Sequence, residues 1–160
     1  MNRLAASDKK LVGELKKNLS NTVILYHQAH GYHWNLIGTD FPEYHALFEL
    51  IYSDLYDAID PFAENVRKLG GISPFLLESF ISLSSLTERN VSSFDAKKLS
   101  KLLYDDNKKA IGDLKDLFIL CNNQNEQGLA NFIAERIDMQ QKWQWQLGAS
   151  LGMKDVTEGK

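Results

Sequence analysis

Residues 41–71 have the sequence FPEYHALFELIYSDLYDAIDPFAENVRKLGG, and this stretch decides the fold. Large apolar residues recur in it every three or four positions, which is the spacing of one buried helix face. Pro42 suits the first turn of a helix, and the pair Gly70–Gly71 can end one. The buried face would consist of Tyr44, Leu47, Phe48, Ile51, Leu55, Ile59, Phe62 and Val66. The stretch therefore predicts one long amphipathic helix that packs against others.

The same spacing predicts long helices on both sides of this stretch. One should run from about residue 7, with Ser7 as its N-cap, to residues 36–38. Two more are expected at about 93–121 and 126–151, with a turn at 122–125. Because the links within each pair are short, the four helices should form two antiparallel hairpins.

The segment between the two hairpins is rich in serine, and a short helix is expected in it at about residues 75–82. The segment is long enough to cross a bundle from end to end. Two helical hairpins joined by one long crossover form the topology of a ferritin-like four-helix bundle. The sequence therefore predicts an all-α fold in a single domain, residues 1–160, with a polar tail that frays from about residue 152.

The chain of 160 residues has a formal net charge of −3 and a single cysteine, Cys121. No apolar stretch approaches the ~20 residues that span a bilayer, so no membrane segment is expected. One cysteine excludes an internal disulfide and a zinc site built from thiolates, and Cys121 should be a small core residue. Charged residues stand where a signal peptide would be apolar, so we expect a cytoplasmic protein.

Histidines and carboxylates, the side chains that bind iron and similar cations, mark one region of the chain. They are His33, His45, Glu49, Asp60 and Glu64. On one straight helix, the 15 residues from His45 to Asp60 span about 22 Å, whereas ligands of one metal must lie within a few Å of each other. Either these residues do not share a site, or a second chain completes it.

A two-fold dimer would resolve this separation. Glu49 and Asp60 are only about 20° apart around a helix axis, so both ends of the helix present ligands on nearly one face. If two copies of this helix pack antiparallel, the end with His33, His45 and Glu49 meets the partner's end with Asp60 and Glu64. A two-fold interface is self-complementary, so two identical sites would form.

A plainer interpretation stays open at this point. A single histidine on a partly apolar helix is often a hydrogen-bonded core or surface residue. Asp60 and Glu64 could also form an exposed ion-pair cluster with Arg67 and Lys68, which lie three to four residues beyond Glu64.

These residues and their neighbours form one pattern with fixed spacings: His33-Trp34-Asn35, Gly38, Phe41, His45, Glu49, Asp60, Ala63-Glu64 and Leu69-Gly70-Gly71. This pattern resembles the Dps family of mini-ferritins, the DNA-protecting proteins of starved bacterial cells. The family pattern is a His-Trp pair, a second His twelve residues later, an acidic residue four beyond it, then Asp-x-x-x-Glu and a Leu-Gly-Gly end. The likeness continues through Pro74 to the last helix, with Trp143 and Trp145, and covers most of the chain.

The resemblance implies a dodecameric shell with iron-oxidising sites between two-fold-related subunits. Asp60 and Glu64 would hold the more tightly bound iron, with His33 reaching it from the neighbouring chain. His45 and Glu49 would serve a second, weaker position. The same ligands would accept Zn(II) as a substitute.

The resemblance also implies the chemistry. Fe(II) would be oxidised preferentially by hydrogen peroxide, and a ferric mineral would accumulate in the cavity and so protect the cell from oxidative damage. Trp34 would quench oxidising intermediates beside the site. The chain departs from the pattern at Glu49, where the family more often has Asp, and at Pro61, which should kink the helix near Asp57.

Two other functions compete with iron oxidation. The chain could coat DNA in the nucleoid with a silent metal site, or it could be a structural four-helix protein without metal. Family members that bind DNA often use long basic extensions, whereas the extension before the first helix is short here and has Arg3 as its only basic residue. Lys154 and Lys160 are offset by Asp155 and Glu158. The net negative charge and the spread of the basic residues also disfavour DNA coating.

We therefore predict that the purified protein does not retard duplex DNA in a gel-shift assay at ~50 mM salt, where binding driven by counterion release is strong. The measurement is the mobility of a labelled duplex over a titration of protein. Retardation that weakens steeply as salt is raised would support the DNA-coating alternative.

Overall fold

The computed structural model describes residues 6–154, with side chains from residue 8 onward, and within them it contains five α-helices and no strand. The helices are α1 (Ala6–Asn35), α2 (Phe41–Lys68), α3 (Leu77–Leu83), α4 (Ala96–Asn123) and α5 (Gln127–Ser150). The predicted all-α, ferritin-like architecture is confirmed, including the short helix in the crossover.

The four long helices pack as two hairpins, and their buried apolar residues form two clusters. α1 lies against α2, α4 lies against α5, and α1 also contacts α4, which joins the hairpins. The crossover segment carries α3 along α1. The largest fully buried side chains are Leu11, Leu15, Leu19, Leu25, Phe48, Leu55, Phe62, Leu99, Leu103, Leu114, Leu117 and Ile133. Most of them lie on the apolar faces that the sequence predicts.

Local signals end three of the long helices in the same way. After α2, Gly70 adopts a φ of 78°, its N–H donates to Arg67 O at 2.9 Å, and the Gly71 N–H donates to Val66 O at 3.0 Å. This is the Schellman motif, which needs a left-handed residue. The same motif ends α4 at Asn125, with φ 57°, and α5 at Gly152, with φ 68°. Gly152 and Met153 take part in this motif, and residues 155–160 of the predicted polar tail lie outside the described residues.

Two local expectations change in the structure. Ser7 lies inside α1, so it is not the N-cap of that helix. α2 continues through Pro61 as one α-helix, so the proline does not break it. Asp57, whose carbonyl loses its helical donor to Pro61, is exposed, so water can bond that carbonyl. A smaller kink at Pro61 stays a prediction.

Cys121 is fully buried, as expected of a core residue. Burial, and to a lesser extent the negative charge of Glu126, raise the pKa of its thiol to about 11. Because the thiolate is the reactive form, Cys121 is chemically inert at neutral pH.

A buried ion pair fastens α2 to α5. The two Nη atoms of Arg136 donate to the two carboxylate oxygens of Asp54 at 2.9 and 2.8 Å, and Trp143 Nε1 donates to Asp54 Oδ2 at 2.8 Å. Burial opposes the charged form of Asp54, but the hydrogen bonds and charge of Arg136 and the bond from Trp143 outweigh it, so the pKa of Asp54 is lowered overall. The pair orients α2 and so fixes which of its faces is turned outward.

Replacement of Asp54 by Asn should lower the free energy of unfolding by about 3 kcal/mol near pH 7, because it leaves the buried Arg136 charge unpaired. A lowered pKa means that the ionised carboxylate stabilises the fold above its unfolded-state pKa, and that this contribution is lost as pH falls through the folded-state pKa. The deficit of the variant should therefore shrink below pH 3.8, the ordinary pKa of an Asp side chain.

Urea unfolding of wild type and Asp54→Asn, near pH 7 and below pH 3.8, measures the difference in their free energies of unfolding. Asp116→Asn is the matched control, since Asp116 is an exposed carboxylate on the neighbouring helix α4. A deficit that does not change with pH would contradict the assignment of the stabilisation to the ionised carboxylate.

Candidate metal centre

The turn between α1 and α2 brings His33 and His45 together. His33 lies in the last turn of α1, and His45 lies near the start of α2. Their imidazole rings stack with centroids 3.6 Å apart and planes at 19°. The turn is held to α4, because the Ile37 N–H donates to Phe94 O at 2.9 Å and the Ala96 N–H donates to Ile37 O at 3.2 Å.

Each of these histidines is oriented by the backbone of the other. His33 Nδ1 lies 2.9 Å from His45 O, and His45 Nδ1 lies 2.9 Å from His33 O. A carbonyl oxygen only accepts hydrogen bonds, so we assign the proton of each neutral ring to Nδ1. Each Nε2 then keeps its lone pair, which is how metal-binding histidines are usually held.

The helix end supplies one of these acceptors. The last four carbonyls of an α-helix lack intrahelical donors, and His33 is in the final turn of α1. The N–H of Ile37, which would bond His33 O if the helix continued, donates to Phe94 O instead. His45 Nδ1 therefore satisfies a carbonyl that the end of α1 leaves open.

Aromatic side chains surround the histidine pair. The rings of His45 and Phe41 stack with centroids 4.8 Å apart. The rings of Tyr52 and His33 meet edge to face with centroids 5.1 Å apart. Trp34 is 65% exposed, and its ring centroid lies 4.2 Å from that of His30. The pKa of His30 is lowered, first by burial and then by the charges of His33 and His27.

The three candidate carboxylates, Glu49, Asp60 and Glu64, are exposed on α2. Within the described part of the chain, no three His, Cys, Asp or Glu side chains are grouped so that they could hold a metal ion. The structure thus joins His33 to His45 and leaves Asp60 and Glu64 apart from them, as helix geometry requires. One chain carries two separate partial ligand sets.

The ion-pair alternative for the acidic residues is not found. Arg67 Nη1 donates to Gly71 O at 2.6 Å, and Lys68 Nζ lies 3.5 Å from Asn65 Oδ1. No salt bridge to Asp60 or Glu64 occurs among residues 8–154. These carboxylates are therefore available to a cation from outside the chain.

Sequence reasoning missed Tyr52 as a neighbour of the histidines. Tyr52 follows His45 by seven residues, which places the two within about 20° around α2. This spacing could have identified Tyr52. The stacking of Tyr52 on His30, at 4.1 Å, depends on how α1 and α2 pack and has no local signal in the sequence.

Comparison with known proteins agrees with this architecture. The protein-family model described as "Ferritin-like domain" matches residues 12–154 of the chain. The "DNA protection during starvation protein" of Helicobacter pylori is 29% identical over 139 residues, which cover 86% of this chain and 96% of that protein.

Solved structures give the same result. The Dps protein of Vibrio cholerae, described as a member of a superfamily of ferritin-like diiron-carboxylate proteins, superposes with a TM-score of 0.85 at 28% identity and covers 91% of both chains. A Dps protein of Bacillus brevis has a TM-score of 0.88 at 24% identity, covers 94% of this chain and 99% of its own, and supports the fold. The bundle, the histidine pair and the exposed carboxylates thus define a ferritin-like protein. Specifically, the chain belongs to the Dps family of the ferritin-like proteins.

Among the helices described, none is both long enough and apolar enough to cross a membrane.

We predict that His33 and His45 are both protonated at Nδ1 and not at Nε2 when their rings are neutral. The reason is that each Nδ1 faces a carbonyl oxygen. Side-chain ¹⁵N NMR at alkaline pH on the metal-free protein measures the tautomers directly, with the exposed His27 as the internal comparison. A proton on Nε2 of either ring would contradict the assignment.

Proposed function

We propose that this protein oxidises Fe(II) at sites shared between two copies of the chain and stores the Fe(III) product within an oligomeric shell. One observation carries the proposal. Two imidazoles are held with their Nε2 atoms free, on a chain whose α2 exposes three carboxylates, of which Asp60 and Glu64 lie towards the other end of the helix. The proposal assigns both partial sets to one kind of site.

We assign the ligands as the family likeness suggests. Asp60 and Glu64 of one chain and His33 of the other hold the tighter iron, and His45 with Glu49 serves the second position. Carboxylates suit the hard Fe(III) product, while imidazole accommodates Fe(II). The longer side chain of Glu49, compared with the more usual Asp, shifts the second position by about one methylene.

Exposed apolar side chains on the crossover support pairing with a second copy. α3 has no buried residue, Phe75 is 79% exposed and Leu77 is 71% exposed. Ile72, Leu76 and Ile81 are exposed beside them. Contiguous apolar surface of this kind is typical of protein interfaces. We propose that two-fold dimers assemble further into a dodecamer, in keeping with the family likeness.

Hydrogen peroxide is the proposed oxidant. Two Fe(II) ions supply the two electrons that, with two protons, convert one peroxide into two waters, so no hydroxyl radical is released. Removal of both reactants protects the cell from oxidative damage. Trp34, exposed beside His30, is proposed to intercept oxidising species that escape this reaction. Substitution of Zn(II) for iron, and a location in the cytoplasm or nucleoid, stay predictions.

The name of the Helicobacter pylori relative refers to DNA protection, which keeps DNA coating as the alternative function. Removal of iron and peroxide can protect DNA without contact. The formal net charge of −3 favours this indirect route.

A mixing experiment tests whether two chains share each site. His33→Ala and Asp60→Ala homodimers should each lose the tight Fe(II) site, because each lacks one of its ligands. In a mixed dimer, one site has both substitutions and the other has none. Equal amounts of the two variants, unfolded and refolded together, should therefore regain about a quarter of the wild-type sites, since half of randomly formed dimers are mixed.

Anaerobic calorimetric titration with Fe(II), followed by peroxide and absorbance of the ferric product, counts the active sites. The control is each variant refolded alone. No recovery in the mixture, with wild type active after the same treatment, would mean that one chain supplies both ligands. Normal iron uptake by the His33→Ala, Asp60→Ala double variant would eliminate the assignment altogether.

A further inference from the structure

We propose that Tyr56 is a site of oxidative cross-linking between two copies of the chain, reached from the candidate iron site through Tyr52 and Tyr26. The proposal rests on the proposed function for its oxidant and for the pairing of two chains. It assigns a chemical outcome to an exposed residue that is not a candidate iron ligand.

A continuous row of aromatic rings leads from His33 to Tyr56. The centroid of His33 lies 5.1 Å from that of Tyr52, Tyr52 lies 6.4 Å from Tyr26, and Tyr26 lies 5.4 Å from Tyr56. Phenols are among the most easily oxidised side chains. Electrons pass between rings at these distances without any movement of the chain, so an electron lost near His33 can be replaced from Tyr56.

The environment of the three phenols favours Tyr56 as the end of this row. Tyr52 and Tyr26 are half-buried, and Tyr26 Oη lies 3.3 Å from Nδ1 of His30. Tyr56 is 60% exposed in the single chain, so it is the most open of the three phenols and the one that releases its proton to water most readily. The phenoxyl radical therefore remains on Tyr56, because the phenolic proton of Tyr56 is lost to solvent.

Tyr56 also occupies the position where two copies of α2 meet in the proposed pairing. That pairing sets His45 against Glu64 and Glu49 against Asp60, and both pairs have their midpoint between residues 54 and 55. At 1.5 Å per residue, Tyr56 lies about 2 Å from this midpoint along the axis, and its two copies are about 4.5 Å apart in that direction. Around the helix, Tyr56 lies about 20° from Glu49 and 40° from Asp60, so it shares their exposed face.

The electron balance defines when the reaction occurs. Where a single Fe(II) meets one peroxide, the iron gives one electron and Tyr56 gives the other, through Tyr26 and Tyr52, together with one proton. Each peroxide becomes two waters with one further proton from solvent, and Fe(III) and a Tyr56 phenoxyl radical are left.

Two such radicals in one dimer then couple. A carbon–carbon bond forms between the positions next to the two phenolic oxygens, and the two displaced ring hydrogens move to those oxygens. The product is a dityrosine with two hydrogens fewer than two tyrosines. Where two Fe(II) ions occupy one site, they supply both electrons, and Tyr56 is spared.

The test uses the full chain, loaded anaerobically with one or two equivalents of Fe(II) per site and then treated with peroxide. We expect a covalent dimer on a denaturing gel, dityrosine fluorescence, and a Tyr56–Tyr56 peptide in the mass spectrum, with more product at one equivalent than at two. Tyr56→Phe should abolish the covalent dimer and, at two equivalents of Fe(II), where Tyr56 is spared, leave the rate of Fe(II) oxidation unchanged. Tyr26→Phe should lower the yield.

Tyr104→Phe is the matched control, because Tyr104 is a half-buried tyrosine on α4 outside this row, and it should keep the wild-type yield. Iron oxidation with no cross-link, a cross-link that persists in Tyr56→Phe, or damage confined to Trp34 would overturn the proposal and leave the proposed function intact. If wild type oxidises no iron, the proposed function fails by itself. Photo-oxidation with a ruthenium complex and persulfate then tests Tyr56 without iron, and absence of a Tyr56–Tyr56 link there would overturn the pairing of these residues.

Discussion

The structure depends on the rigidity of α2. A helix rises 1.5 Å per residue, so ligands at its two ends cannot converge on one ion, however well their side chains are directed. The chain places a histidine pair at the start of α2 and two carboxylates towards its end, on nearly one face. Packing against α1 and the buried pair between Asp54 and Arg136 hold the opposite face inward. A single chain therefore cannot bring the two partial ligand sets together, and the proposed symmetric pair would do so.

The histidine pair shows how the end of a helix becomes part of a candidate site. The sequence stops α1 at Asn35, and the carbonyl of His33 then lacks a donor from its own helix. His45 provides that donor, and His33 returns the bond to the backbone of α2. One pair of hydrogen bonds thus closes the hairpin, fixes both tautomers and frees both Nε2 atoms. Local folding and metal-binding competence therefore have the same cause here.

The helices and most of the buried faces could be predicted from the sequence, because apolar spacing, glycines and short links act locally. Leu47 and Ile59, at the edge of the predicted face of α2, are only half-buried, since burial at an edge depends on the neighbouring helix. The pair between Asp54 and Arg136 joins residues 82 apart, and no local pattern announces it. Pro61 is predicted to kink α2, and the helix continues through it because the carbonyl that it leaves unpaired belongs to the exposed Asp57. The candidate ligands could be named from their spacing, but their convergence depends on a second chain.

The exposed face of α2 also links assembly to iron. In the proposed pairing, Glu49 of each chain lies opposite Asp60 of the other, and Glu64 lies opposite His45, with Asp57 exposed nearby. Carboxylates that approach one another without cations repel, so the acidic faces alone oppose the dimer that the apolar crossover favours. Fe(II) bound between the carboxylates would turn this repulsion into attraction and so favour the dimer. If iron binds the dimer more tightly than the lone chain, it also stabilises the dimer. Because binding linkage is reciprocal, the two effects have the same free energy. In the proposed function, acidic ligands divided between two chains make the assembled dimer the form that binds iron, whereas a lone chain has only part of the ligand set.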